Sequence, residues 1–254
     1  MSEQITMTRR GAVAILTMSR PAAGNRITEQ MGTELVAALD HVRRDADVHG
    51  CVLTGEGDVF CLGGDYRGAG AGIQGRMDFA RAHIDLFTAM SRLGKPLIAA
   101  VTGHAHAGGF ALLLGCDMAY IADEATVGLP EAAHGLFPLL ALAMARDVLP
   151  KKRLFEIIYE AKLLSAAEAV ELGFANAVVA RADVVARACT AVERASAGNR
   201  AVLMVGRDLY YGMRGASPEQ ALDQARFALA AALSAVDQVQ ASPSATGTTA
   251  APAR

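Results

Sequence analysis

Short apolar runs alternate along the first part of the chain with segments whose apolar residues recur at helical spacing. The run AVAILTM (12–18) predicts a buried strand, and GCVLTGEGDVF (50–60) predicts a strand, a glycine-rich turn and a second extended piece. Between them, apolar residues three or four positions apart predict a helix, with Thr28 as its N-cap and Glu29 in its first turn. The pattern indicates a β-then-α unit.

This alternation continues as far as residue 150. In chain order, the pattern predicts a helix over 76–92, a strand at PLIAAVTG (96–103), a helix from about residue 108, a strand at MAYIAD (118–123) and a short extended TVGL (126–129). Alternating strands and helices are typical of the α/β class.

Helical patterns dominate after residue 150. Ser165 and Glu168 form a capping box that opens a short helix, which Gly173 ends. Alanine-rich segments predict two further helices over 183–197 and 218–236. The last residues, ASPSATGTTAAPAR (241–254), contain no large apolar side chain, so we expect a disordered tail.

The composition narrows the class of protein. A chain of 254 residues that is 52% hydrophobic and 20% charged is long enough to bury one large core. The formal net charge is −2 and the signs are interspersed. A charge pattern of this kind argues against a nucleic-acid or anionic-lipid partner and favours a small ligand.

The cysteines and the N-terminal segment indicate in which cellular compartment the protein is expected. Cys51, Cys61, Cys116 and Cys189 lie far apart and form no CxxC pair, so we expect reduced thiols that bind no metal. The N-terminal MSEQITMTRRGAVAIL lacks the basic start of a signal peptide, and its apolar stretch is too short to cross a bilayer. These features predict a cytoplasmic protein with no membrane segment.

Two glycine pairs follow extended segments, in VFCLGGDYR (59–67) and in AHAGGF (105–110). A glycine has no Cβ to block a ligand from the backbone N–H groups. The second pair also opens a helix, where unpaired N–H groups and the positive end of the helix dipole coincide. Two such loops facing each other make an oxyanion hole, whereas either pair alone is more typical of a tight turn.

Five segments in order resemble motifs of the crotonase, or enoyl-CoA hydratase/isomerase, superfamily, between about residue 5 and about residue 200. They are MSRPAAGNRIT (18–28), FCLGGD (60–65), KPLIAAVTGHAHAGGFALLLGCDMAYIAD (95–123), VGLPEAAHGLFP (127–138) and AKLLSAAEAVELGFANAVV (161–179). The resemblance implies an α/β spiral of repeated β-β-α units over 1–200. A helical C-terminal region over 201–240 would then assemble the chain into a homotrimer or a dimer of trimers.

The resemblance also implies a coenzyme A thioester as substrate and no separate cofactor. The two oxyanion-hole amides of the family match Gly64 and Gly108, and the second of the two glutamates that its hydratases use matches Glu131. The first glutamate falls on Ala111, whose methyl group cannot transfer a proton. A single carboxyl group favours isomerisation of a 3-enoyl thioester, because the carboxylate that removes the α-proton can return it at the γ-carbon.

Other functions stay open at this point. Hydration needs a second polar group, for which His104 and His106 are the nearby candidates in the sequence, and a third possibility is a protein that binds acyl thioesters without turnover. Glu131 also fits a carboxylate that satisfies N–H groups at a helix start. Because DQVQASPSATGTT (237–249) replaces the basic C-terminal segment of the family, an acyl-carrier-protein thioester is an alternative substrate form.

Three histidines near these motifs each have two interpretations. If their segment is extended, His104 and His106 lie on one face and contact substrate or a bridging water; otherwise one is partly exposed and one is hydrogen-bonded in the core. His134, one helical turn after Glu131, either tunes the pKa of that carboxyl group or has no role in the site. No HExxH or similar spacing predicts a metal site.

The other expected substrate contacts lie in the first two motifs. Arg26 belongs to the segment that in the family helps to hold the adenine end of coenzyme A, and Cys61 and Leu62 precede the first amide. Asp65 matches a position whose carboxylate is usually structural, accepting hydrogen bonds near the turn. The segment GAGAGIQGR (68–76) is expected to be a mobile loop that lines the acyl pocket.

Overall fold

The computed structural model describes residues 3–68, 70 and 72–241. Of the tail expected over 241–254, only Ala241 falls within this range, where it ends a helix, and the rest lies outside the described residues.

The strands of the described residues form two sheets. The strands are β1 (Ile5–Arg10), β2 (Val13–Met18), β3 (Gly50–Gly55), β4 (Val59–Cys61), β5 (Leu97–Val101), β6 (His104–His106), β7 (Met118–Ala122), β8 (Thr126–Gly128), β9 (Leu163–Ser165) and β10 (Ala177–Val179). Six form one sheet in the order β1-β2-β3-β5-β7-β10, and four form a smaller sheet in the order β4-β6-β8-β9. All neighbours are parallel except the pairs β1–β2 and β8–β9.

Helices occupy most of the remaining described residues. They are α1 (Glu29–Arg44), α2 (Gly72–Ser91), α3 (Gly108–Gly115), α4 (Leu139–Ala145), α5 (Lys151–Tyr159), α6 (Ala166–Glu171), α7 (Val184–Ala195), α8 (Arg200–Gly212) and α9 (Pro218–Ala241).

Three successive strand pairs share one arrangement. The first strand of each pair, β3, β5 or β7, joins the large sheet, and the second, β4, β6 or β8, joins the small one. A helix follows each pair: α2, α3 and then α4, which is preceded by the 3₁₀ turn Pro130–His134. The arrangement confirms the predicted α/β spiral of β-β-α units, and a helical C-terminal region is present.

Capping chemistry fixes two helix starts where the sequence predicts them. The Thr28 hydroxyl oxygen accepts a hydrogen bond from the Met31 N–H at 3.0 Å and starts α1. At α6, the Ser165 N–H donates to Glu168 Oε2 at 2.8 Å while the Glu168 N–H donates to Ser165 Oγ at 3.3 Å. Both reciprocal bonds of the predicted capping box are therefore made.

Other elements differ from the sequence-based expectation. α2 begins at Gly72, so the end of the segment expected to be a mobile loop over 68–76 is helical; residues 69 and 71 lie outside the described part of the chain. α8 is not predicted by the alanine-rich pattern. Its start depends on Asn199, whose side-chain oxygen accepts from the N–H groups of Ala201 and Val202.

α3 is buried along almost its whole length. Every residue after Gly108 in this helix is buried, which explains why it is apolar on all faces. The helix start lies directly against the end of β4, where a Cβ built on Gly109 would overlap the carbonyl oxygen of Cys61. Only glycine fits at this close approach.

Replacing Gly109 by Ala is expected to destabilise the fold, because backbone rather than a flexible side chain blocks the added methyl group. Overpacking of this kind costs about 1–3 kcal/mol or more in the free energy of unfolding, measured by urea denaturation. Gly108→Ala is the matched control, since its Cβ would meet no atom closer than 3.3 Å. Equal stability of the two variants would contradict this account of the α3–β4 contact.

The described residues divide into two compact units, 3–197 and 198–241. The second consists of α8 and α9, which pack on each other. Several of its large apolar side chains are exposed: Met204, Tyr210, Leu222, Phe227, Leu229 and Leu233. Within the ranges described above, no helix is long and apolar enough to span a membrane.

Candidate active site

The second strands of the three β-β-α units bring three motifs to one edge of the small sheet. β4, β6 and β8 are parallel neighbours, so their carboxyl ends meet at the same edge. Gly64 lies three residues after β4, Gly108 two residues after β6 and Glu131 three residues after β8. The topology thereby collects residues that are far apart in the sequence.

The residues on either side of Gly64 are hydrogen-bonded to Ile27, and the Gly64 N–H points away from Ile27. The Ile27 N–H donates to the Gly63 carbonyl at 2.9 Å, and the Asp65 N–H donates to the Ile27 carbonyl at 2.8 Å. In this parallel bridge, the N–H and carbonyl of Gly64 point to the opposite side. Gly63 holds a φ of +107°, which favours glycine, and no acceptor among the described residues pairs with the Gly64 N–H.

The residue that precedes Gly108 has a strained backbone conformation. Ala107 has φ 53° and ψ −119°, an unfavourable conformation for a residue with a Cβ. Two hydrogen bonds hold it: its N–H donates to the Gly128 carbonyl at 2.9 Å, and its carbonyl accepts from Ala111 N–H at 3.1 Å. A Cβ built on Gly108 would lie 3.4 Å from the Gly64 nitrogen, so the two amides are neighbours.

Both amide-bearing residues line a cavity of about 610 Å³, a size ordinary for a small-molecule site. Ala111 and Glu131 line the same cavity. The rest of the wall is mainly apolar and comes from α2, the residues before it and the entry to α4. It is formed by Tyr66, Gly70, Arg76, Phe79, Ala80, His83, Phe87 and residues 136–141.

Glu131 lies in the 3₁₀ turn between β8 and α4 and is half-buried. Its Oε2 is buried and has no hydrogen-bond partner among the described residues. Burial raises the pKa of this carboxyl group, opposed by its own backbone N–H and by the charge of His134. His134 itself is exposed and does not line the cavity, so it acts on Glu131 only through its charge.

Residues 8–245 match the family model described as enoyl-CoA hydratase/isomerase. The chain belongs to this family of acyl-CoA enzymes. It is 35% identical over 195 residues to the enoyl-CoA hydratase EchA19 of Mycobacterium tuberculosis, which covers 74% of this chain and 73% of that protein. It is 33% identical over 189 residues to the carnitinyl-CoA dehydratase of Escherichia coli K12, covering 72% and 71%.

A solved structure supports the same assignment. The crystal structure of an enoyl-CoA hydratase from Mycobacterium smegmatis matches this fold with a TM-score of 0.87 at 27% sequence identity. The match covers 94% of this chain and 96% of that structure, which confirms the crotonase-type fold.

Position 111 departs from the pattern of the enoyl-CoA hydratase/isomerase family described above. Ala111 is buried in α3 and lines the cavity together with Gly64 and Gly108, so a methyl group forms the wall at the position that the sequence comparison matched to the first glutamate. The residue cannot exchange protons, and any second proton-transfer group in this cavity has to come from another element.

His104 and His106 do not supply that group, since neither lines the cavity. Both rings contact the hydroxyl of Thr126 on the neighbouring β8, His104 through Nδ1 and His106 through Nε2, each at 2.9 Å. Burial, with the charges of His104 and Arg26, lowers the pKa of His106 to about 4. The segment is extended and both rings lie on one face, as the first interpretation supposes, whereas both are half-buried and hydrogen-bonded, unlike the pair in the second. Their contact with substrate or a bridging water stays a prediction.

The polar side chains that α2 brings to the cavity were not predicted from the sequence. Arg76, Phe79, His83 and Phe87 recur at intervals of three and four residues and form one face of this helix. That spacing was a usable signal, although the glycine-rich segment before it suggested a loop. Tyr66 adds a phenol, whose pKa is raised by burial and by the charge of Glu131.

The remaining predicted contacts lie outside the cavity wall and hold the loop that carries Gly64. Arg26 is exposed and donates to the Leu62 carbonyl at 2.6 Å, while Asp65 accepts from Arg20 Nη2 at 3.0 Å, as in the structural role expected for it. Burial raises the pKa of the Cys61 thiol to about 12, so this thiol stays protonated. Their contacts with substrate stay predictions.

No group of three or more His, Cys, Asp or Glu side chains in the described ranges is arranged to hold a metal ion. Among the described residues, the polar side chains that line the cavity are the carboxyl of Glu131, the phenol of Tyr66, the imidazole of His83 and the guanidinium of Arg76.

Proposed function

We propose that this protein forms and uses the enolate of an acyl-CoA thioester, with the N–H groups of Gly64 and Gly108 holding the thioester oxygen and Glu131 moving a proton. The observation that carries the proposal is the meeting, in one cavity, of two unpaired amides and a carboxyl group whose Oε2 has no partner among the described residues.

The amides supply the electrostatic part of this chemistry. Removing a proton from the α-carbon places negative charge on the thioester oxygen, and fixed N–H donors stabilise that charge without reorganising. The strained Ala107 and the bridge between Ile27 and Gly64 hold both donors in place before substrate binds. The apolar wall of the cavity strengthens the interaction by excluding water.

Glu131 supplies the proton transfer. Its raised pKa makes the carboxylate a stronger base than an exposed glutamate, and burial among apolar groups leaves it few competing partners. With a 3-enoyl thioester, the carboxylate removes a proton from C2, the dienolate forms, and the same proton returns at C4. Only one carboxyl group is required, which suits a cavity with alanine at position 111.

Double-bond isomerisation is therefore the first reaction we propose, tested by ultraviolet absorbance of the conjugated thioester. We expect the absorbance to rise when the protein is added to a 3-enoyl-CoA. No rise with 3-enoyl thioesters of several chain lengths, from a folded protein, would contradict the proposal. If such thioesters bind without turnover, the protein is an acyl-thioester binding protein instead.

Hydration of a 2-enoyl thioester is the second candidate. Two observations favour it: the cavity contains an imidazole as well as the carboxyl group, and the relatives above are named as a hydratase and a dehydratase. In the same assay, hydration lowers the absorbance of a 2-enoyl-CoA.

We further propose a coenzyme A thioester as the substrate, with no separate cofactor, and an acyl-carrier-protein thioester as the alternative form. A homotrimer, or a dimer of trimers, is supported by the exposed apolar side chains of α8 and α9. A cytoplasmic location is supported by four free cysteines.

A further inference from the structure

His83 is a buried polar residue on α2 that the single-carboxyl mechanism does not use. The residue is 4% exposed and lines the same cavity as Ala111 and Glu131. Its ring packs against Phe79, with 4.5 Å between the ring centroids. A histidine in an apolar wall costs free energy to bury unless its nitrogens have partners, so its hydrogen bonds are informative.

The hydrogen bond to the helix backbone assigns the state of the ring. Nδ1 lies 2.9 Å from the carbonyl oxygen of Phe79, and a carbonyl only accepts, so Nδ1 carries a hydrogen. In the neutral ring, Nε2 is then the basic nitrogen. No group among the described residues pairs with Nε2, and His83 is one of the residues that line the cavity.

The protonation tendencies of His83 and Glu131 complement each other. Burial lowers the pKa of His83, partly opposed by the bond to Phe79, and favours the neutral ring. Burial raises the pKa of Glu131 and favours the protonated carboxyl. Both shifts favour the uncharged forms, which are a ring whose Nε2 is unprotonated and a carboxyl group that carries its proton.

We infer that His83 Nε2 is the base that activates water for addition to a 2-enoyl thioester, a role that the methyl group of Ala111 cannot fill. The inference rests on the proposed function, since it needs the same amides and Glu131. In the forward direction, Nε2 takes a proton from water as the oxygen bonds to C3. The thioester enolate forms, and protonated Glu131 gives its proton to C2.

The products of this step balance. One water and one 2-enoyl thioester give one 3-hydroxyacyl thioester, with His83 left protonated and Glu131 ionised. Exchange with solvent returns the proton from His83 to Glu131. In the reverse direction, the Glu131 carboxylate removes the C2 proton and protonated His83 gives its proton to the leaving hydroxide.

The test separates water addition from enolate formation. His83→Phe keeps an aromatic ring against Phe79 but has no basic nitrogen, and His83→Gln keeps a polar group of weak basicity. We expect both variants to hydrate 2-enoyl-CoA about 100-fold more slowly in kcat than the wild type. Exchange of the α-protons of a saturated acyl-CoA in deuterium oxide, which needs the amides and Glu131 alone, should fall far less than hydration does.

His41→Gln is the matched control, because this histidine on α1 is exposed and lies outside the cavity. Unchanged hydration by both His83 variants overturns the inference, as does an equal loss of hydration and α-proton exchange. If the wild-type protein exchanges α-protons but adds no water to a 2-enoyl-CoA, the role of His83 is overturned and the proposed function stands. If the wild-type protein shows neither α-proton exchange nor water addition, the proposed function is overturned as well.

The pH profile gives a signature that a merely structural role would not produce. A base must be unprotonated, so hydration by the wild type should fall as the pH falls through the pKa of His83, which lies below the ordinary 6.5. The other titratable groups that line the cavity are Tyr66, Arg76 and Glu131, and no charged side chain contributes to the His83 shift. This acidic limb should disappear in His83→Gln.

Discussion

Replacing Glu131 by Gln is expected to slow α-proton removal from an acyl-CoA by about 10²- to 10⁴-fold, the usual contribution of a positioned acid or base. The amide has nearly the shape of the carboxylate but cannot take a proton, so the cavity and the two backbone donors stay as they are. Exchange of the C2 protons in deuterium oxide and isomerisation of a 3-enoyl-CoA should fall together. Binding of a saturated acyl-CoA, measured by calorimetry, should change little.

The surroundings of the Glu131 carboxyl group decide how a loss of rate in Glu131→Gln is interpreted. Oε2 of Glu131 is buried without a partner among the described residues, so the substitution breaks no hydrogen bond of that oxygen. If the rate of α-proton removal falls greatly while the stability of the fold changes little, the cause is the loss of the proton-accepting group. Glu160→Gln is the control, since that glutamate is exposed and outside the cavity. If Glu131→Gln exchanges α-protons at the wild-type rate, Glu131 is a helix-start carboxylate and not the base.

Local sequence patterns were sufficient where neighbouring residues determine the structure. The Thr28 cap and the Ser165–Glu168 box form as predicted, because each satisfies N–H groups within its own first turn. β6 and β10 have only three residues each, too few for a periodic signal, and their existence depends on pairing with strands distant in the chain.

The active site was predictable only in part, because some of its residues belong to sequence motifs and others reach the cavity through tertiary packing. Motifs in the sequence pick out Gly64 and Gly108, and the structure places both in one cavity. His83 carries no such motif, and its place in the wall follows from the way α2 packs in the tertiary structure. Conversely, His104 and His106 precede the Gly108 amide by only a few residues, yet their strand turns both rings toward Thr126.

Replacing the Gly108 amide by an ester, through incorporation of glycolic acid at this position, is expected to lower kcat by about 10²- to 10³-fold, the usual cost of losing one oxyanion-hole donor. The ester removes the N–H and adds no side chain. No acceptor among the described residues pairs with this N–H, so the protein loses no hydrogen bond of its own there. The rate of α-proton exchange in deuterium oxide measures the effect.

One side effect of the ester has to be separated from the loss of the donor. The ester also weakens the Ala107 carbonyl as an acceptor, and that carbonyl holds the Ala111 N–H at 3.1 Å. A small loss of stability, measured by thermal unfolding, is therefore expected along with the large loss of rate. The same ester at Gly11, which lies in the turn between β1 and β2 and does not line the cavity, controls for the chemistry of incorporation. A Gly108 ester that exchanges α-protons at the wild-type rate would mean that this amide does not hold the enolate oxygen.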